Sequence, residues 1–209
     1  MILTGRNPER LKQAALDVEA RSTAAFDATD PAALHRFFAG LPDPIDHVLV
    51  TAGGPHYGPL LEMDSAQVRQ ALGDHVALGL DVARNAAGKM RAGGALLLMG
   101  GTGGRRIGHG LGIASAATST GPRSWPPSPS SSRRFASISS RRASRTHRSL
   151  WASILGDELE ARRDQLRATL PIRRVVGPAD IAALAVHLMI NTALTGATYD
   201  IDGGQQFVE

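Results

Sequence analysis

Four short stretches carry the residues whose types and spacing could do chemistry: ILTGR, FDATD, LVTAGG and GGTGGRRIG. In the first three an apolar run stops at a glycine or a carboxylate, as strands of a parallel sheet do where their carboxyl ends meet a ligand. Arg6 directly follows Gly5, and a guanidinium there suits a phosphate through paired, charge-assisted hydrogen bonds. Gly53 closes the third stretch, where a missing side chain allows a ligand close to the backbone. The glycine run at 100–108 fails as a phosphate-cradling loop. Ile107 stands where the Thr-Gly-x-x-x-Gly-x-Gly spacing needs glycine, so the run reads as a strand end. Candidates for acid–base work include the chain's two tyrosines, Tyr57 and Tyr199, and one of its helical histidines, His75. The chain has no cysteine, which excludes disulfides and Cys-type zinc sites.

The elements that must position these residues are legible. MILTGR predicts a strand, and Asn7 then Pro8 predict a capped helix over NPERLKQAALDVEA. STAAFDATD predicts a second strand, and Asp30 then Pro31 a second capped helix over DPAALHRFFAGLP. IDHVLVTAGG is a continuous apolar run, expected of a strand buried on both faces of a parallel sheet. A long helix follows over DSAQVRQALGDHVALGLDVARNAAGKMRAG, then a strand over GALLLMGG. Beyond residue 155, GDELEARRDQLRATL and GPADIAALAVHLMI predict helices and GATYDIDGGQQ a last strand. Alternating strands and helices with short connections predict one α/β domain over 1–209, a continuous, Rossmann-like doubly wound parallel sheet.

Composition sets one segment apart. With 43% hydrophobic and 20% charged residues the chain is ordinary globular material, and its formal charge is +4, from 23 Lys+Arg against 19 Asp+Glu. Residues 119–151 hold seven of those arginines and no acid, so the remainder balances at 16 against 19, or −3. The segment also holds eleven serines with Pro126, Pro127 and Pro129, a composition that predicts disorder. An arginine/serine module for nucleic acid, with Trp125 or Phe135 stacking on bases, is the functional alternative. A loop of this kind would bind nucleic acid weakly and without sequence preference, so no specific nucleic-acid partner is expected. No basic leader with a cleavage site and no run of about 18 apolar residues is present, which gives a cytoplasmic protein without membrane partners as the expectation.

In order and motif the chain resembles the short-chain dehydrogenase/reductase family. ILTGRNPERL looks like that family's second strand and helix, FDATD its third strand, LVTAGG its fourth with a variant of the Asn-Asn-Ala-Gly turn, and GKMRAGGALLLMGG its fifth. RRVVGPADIAALAVHLM and TGATYDIDGG look like its late helix and C-terminal strand. The resemblance implies a nicotinamide-dependent oxidoreductase acting on a small carbonyl or alcohol substrate, homo-oligomeric in intact members. It assigns cofactor contacts to Gly5, Arg6, Asp27, Ala28, Thr51, Ala52 and Gly53, with Arg6 favouring NADP over NAD through the 2′-phosphate. Asp202, Gly203 and Gly204 match a C-terminal motif and read as structural.

The chain departs from the family pattern in three ways. The opening strand and its glycine-rich turn have no counterpart, which should weaken cofactor binding. The family's serine and Tyr-x-x-x-Lys pair are missing: GGT stands at the serine position, and Gly112 and Ala116 occupy the tyrosine and lysine positions. His75 falls where the family has a helix asparagine and Thr102 one residue past the serine, so the catalytic assignment passes to these two. The third departure is the arginine/serine segment, which replaces an apolar helix, a strand and a Pro-Gly turn and should leave the sheet under-covered. A reading-frame slip accounts for it. Suitable codons for Phe135 to Ser149, read from the third base, spell Arg-Val-Asn-Leu-Ile-Ala-Pro-Gly, close to the missing strand and turn. The alternative function is a catalytically inactive binding or remnant protein of the same fold.

Overall fold

The computed structural model describes residues 1–53, 60–101, 112–119, 134–140 and 158–208. Strand β1 (Ile2–Gly5) leads into helix α1 (Pro8–Asp17), where Asn7 Oδ1 accepts the Arg10 N–H at 2.9 Å and Pro8 takes a position whose N–H has no helical partner. Strand β2 (Ser22–Ala25) leads into α2 (Pro31–Ala39), capped in the same way by Asp30. Strand β3 (Ile45–Val50) is followed by α3 (Ser65–Ala87), which starts with a reciprocal capping box between Asp64 and Gln67. Then come β4 (Met90–Gly101), α4 (Gly112–Ser119), β5 (Arg134–Ser140), α5 (Glu158–Thr169), α6 (Pro178–Ile190) and β6 (Thr198–Ile201).

All ladders among the described residues are parallel, but they form two sheets rather than one continuous sheet: β1-β2, and β3-β4-β5-β6. Among the described residues no ladder joins β1 to β3, and β3 lies at the edge of its sheet. This corrects the expectation of a strand buried on both faces. Val48 and Val50 pack inward with Leu34, Phe38, Leu78 and Val82, while Leu49, pointing the other way, is 41% exposed.

The core has two layers. On one face α2 and α3 cover β3 and β4 through Phe38, Leu78, Val82 and Leu96; on the other α6 covers β4 and β5 through Ile181, Ala185, Leu188, Leu97 and Ile138. Alternation along β4 sends Ala95 and Leu97 to one layer and Leu96 and Leu98 to the other. The sheet is therefore well covered at β4 and β5, contrary to the expected deficit. β4 also begins earlier than predicted: Met90 pairs with Ile45 and Ala95 with His47, and the extra residues bulge out at Gly93, whose φ is +74°. Gly94 cannot carry a side chain there, because a Cβ would lie 2.6 Å from the Asp46 carbonyl.

Residues 134–140 form β5 between β4 and β6, inside the segment whose composition predicted disorder. The reason is periodicity. In RFASISS, Arg134, Ala136 and Ile138 face α6 while Phe135 faces the α3 layer, so an alternating pattern lies inside a serine-rich composition. Phe135 is thus half-buried in the core, which removes it from the stacking role; Trp125 lies outside the described residues. Arg134 is 6% exposed, and its guanidinium donates to the Gly93 carbonyl and to those of Leu188, Met189, Asn191 and Leu194. It closes the C-terminal end of α6, where aligned peptide dipoles concentrate negative charge.

Candidate functional site

The sequence-assigned residues lie at the carboxyl ends of successive parallel strands: Gly5 and Arg6 at β1, Asp27 and Ala28 just after β2, and Thr51, Ala52 and Gly53 just after β3. Their strands end there for local reasons. Asp27 accepts the Thr29 N–H at 2.9 Å and the Thr29 hydroxyl at 2.8 Å, a turn that stops β2, and Asp30 then caps α2. Gly53 adopts φ +82°, a conformation that favours glycine, so the chain can leave β3 sharply.

Two groups form. In the first, Gly5 pairs in register with Ala25 and the Phe26 N–H donates to the Gly5 carbonyl at 3.0 Å, setting Arg6 and Asp27 on adjacent strand ends. The hydrogen bonds from Thr29, backbone first and hydroxyl second, hold the Asp27 carboxyl below its ordinary pKa, and the positive charge of Arg6 adds to this. No hydrogen bond or ion pair holds the Arg6 guanidinium among the described residues. In the second group Gly53 sits over α3: a Cβ there would meet Leu78 Cδ2 at 2.9 Å and His75 Nδ1 at 3.9 Å. His75 Nδ1 is buried without a hydrogen-bond partner among the described residues, and burial holds the imidazole pKa below its ordinary value. The Gly53 backbone pulls weakly the other way, from a position that does not meet hydrogen-bond geometry. Ala28 and Val50 pack against one core cluster, which ties the first group to the second through α2 and α3.

Thr102 lies outside the described residues, as do Tyr57 and Ile107. Gly112 and Ala116 fall on α4, one turn apart, and neither carries a group that moves a proton. Sequence reasoning passed over Thr29, although Asp-x-Thr before a capped helix is a turn signal. A separate open cleft of about 410 Å³ lies at the carboxyl end of β6, where Arg174 and Asp180 form a two-pronged ion pair at 2.6 and 2.7 Å. Asp202 accepts the N–H groups of Gly204 and Gln206 there, so its part in the fold is to shape the turn after β6. Among the described residues no cluster of His, Asp or Glu could hold a metal ion, and no helix is long and apolar enough to cross a membrane.

Comparison with solved structures gives the class of fold. A small-chain dehydrogenase in complex with NADPH aligns with a TM-score of 0.77 at 18% identity, covering 99% of each chain. A short-chain dehydrogenase/reductase described as glucose/ribitol dehydrogenase, from Brucella melitensis, aligns at 0.82 and 18% identity, covering 97% of this chain and 84% of the other. BdcA in complex with NADPH aligns at 0.78 and 21%, covering 97% and 82%. No family model matches the chain, and no curated protein matches it in sequence. The chain has the Rossmann-like fold of the short-chain dehydrogenases/reductases.

Proposed function

We propose that this chain is a short-chain dehydrogenase/reductase-type oxidoreductase that binds NADP in preference to NAD and serves hydride transfer to or from a carbonyl or alcohol substrate. The observation that carries this reading is the presence, on adjacent strand ends, of an Arg6 guanidinium that no ion pair engages among the described residues and an ionised carboxylate at Asp27. That donor set fits the adenosine end of a phosphorylated dinucleotide: Arg6 for the 2′-phosphate, Asp27 as an acceptor near the adenine, and the Thr51–Gly53 backbone under the ribose. The NADPH complexes among the structural neighbours support the same cofactor class. When bound, the nicotinamide supplies or takes the hydride. Proton transfer falls to His75, whose depressed pKa keeps the ring neutral near pH 7, with Thr102, which follows β4 in the sequence, as the second candidate.

A second reading is favoured by α4. With Gly112 and Ala116 where the family has its tyrosine and lysine, the chain binds cofactor without turning it over. In this reading the arginine/serine segment, residues 119–151, belongs to a slipped frame. Titration with NADPH and NADH, followed by a carbonyl panel, separates the two. The oxidoreductase reading expects NADPH to bind more tightly, R6A to erase the difference, and H75A to slow NADPH oxidation. Binding without oxidation, or no binding of either nucleotide, supports the inactive binding or remnant reading, and no binding refutes the oxidoreductase reading.

A further inference from the structure

Arg6 and Asp27 stand at neighbouring strand ends with opposite charges and yet do not form an ion pair; the carboxylate is engaged by Thr29 instead. Both Thr29 donors, the backbone N–H at 2.9 Å and the hydroxyl at 2.8 Å, converge on one oxygen, Asp27 Oδ1, and fix the side-chain rotamer. Exposed ion pairs between flexible side chains are weak, so two short hydrogen bonds are enough to hold the carboxylate out of one. We propose that Thr29 is a positioning residue that restrains Asp27 from pairing with Arg6 and thereby keeps the guanidinium available for a phosphate monoester. This rests on the NADP reading and deepens it.

The physical consequence is a competition. A phosphate needs both arms of the Arg6 fork, and a carboxylate that reached the guanidinium would have to be displaced before the phosphate could bind. With Asp27 held through Oδ1, its Oδ2 stays free as an acceptor for a ligand N–H or O–H, so one local turn serves two recognition tasks. The order of causes behind the low Asp27 pKa agrees with this geometry: Thr29 acts first and Arg6 last.

The test uses the full chain and two probes, adenosine 2′,5′-bisphosphate and adenosine 5′-monophosphate. T29V removes the hydroxyl and keeps the shape, and should weaken the bisphosphate about fivefold more than it weakens the monophosphate, which shares only the adenine contact. T29S should restore binding, and D27N/T29V should bind the bisphosphate as well as D27N does, because a neutral amide does not compete for the guanidinium. Equal bisphosphate affinity for T29V and the parent, or no recovery in D27N/T29V relative to D27N, overturns the proposal. A second readout needs no nucleotide: the Asp27 carboxyl titration followed by NMR. R6A should hardly move it when Thr29 is present and should raise it clearly in T29V. Equal shifts in both backgrounds overturn the restraint. If the parent binds neither probe while the titrations couple in this way, the cofactor reading fails and the restraint stands.

Discussion

Replacing Arg134 by methionine should destabilise the protein more than any other single change in β5. The guanidinium is buried and makes five hydrogen bonds to carbonyls, at 3.0 Å to Gly93, 2.7 Å to Leu188, 2.6 Å to Met189, 2.8 Å to Asn191 and 3.3 Å to Leu194. A hydrogen bond to a charged group contributes roughly 1.5–3 kcal/mol, and a buried carbonyl left without a donor costs about 1–3 kcal/mol. Carbonyls at a helix end regain water when the side chain shortens, and methionine restores part of the packing, so the contributions do not simply add. The net loss for R134M is therefore about 4 kcal/mol, or about 8–16 °C in Tm for a chain of this size. R134K keeps the charge without the planar fork and should lose about half as much. Urea denaturation followed by far-ultraviolet circular dichroism measures both. An R134M protein within about 1 kcal/mol of the parent would show that the arginine is not what closes α6, and the account of β5 would fall with it.

Three further outcomes follow from the geometry. G53A should cost about 1–3 kcal/mol in stability, from the positive φ and the 2.9 Å approach of the new Cβ to Leu78, and should weaken NADPH binding in the same titration. His47 accepts the Ala95 N–H through Nδ1, and burial, then the charges of Arg91 and Arg134, depress its pKa against an opposing pull from Asp46. Because the unfolded chain takes up that proton first, stability should be constant above about pH 6.5 and fall as pH drops toward the folded pKa; H47Q should remove its share of this slope and leave the share that His75 contributes in the same direction. Asp180 should titrate at about 2 in NMR, held there chiefly by Arg174, and R174A should raise it toward 3.8.

Much of this protein is written locally in its sequence. Asn7, Asp30 and Asp64 start their helices with side-chain hydrogen bonds that span two or three residues, and Gly53 ends the third apolar run with a backbone angle that glycine favours. Such interactions join near neighbours, so composition and spacing reveal them, and with them the placing of Arg6, Asp27 and Gly53 at strand ends. The pairing of strands is not local. That β3 ends a sheet and leaves Leu49 in solvent, that Met90 to Gly93 extend β4 around a bulge, and that RFASISS fills the place between β4 and β6 all depend on partners tens of residues away. Composition marked residues 134–140 as polar and basic, whereas the tertiary structure buried Arg134 and turned it toward the carbonyls at the end of α6 and at Gly93. Only the fold could reveal that environment, because the carbonyls that accept from Arg134 belong to no residue near it in the chain. The same division holds at the site. The Asp27–Thr29 turn spans two residues and is written in the sequence, whereas the parallel pairing of β1 with β2, which sets Arg6 and Asp27 on neighbouring strand ends, was decided by the tertiary structure.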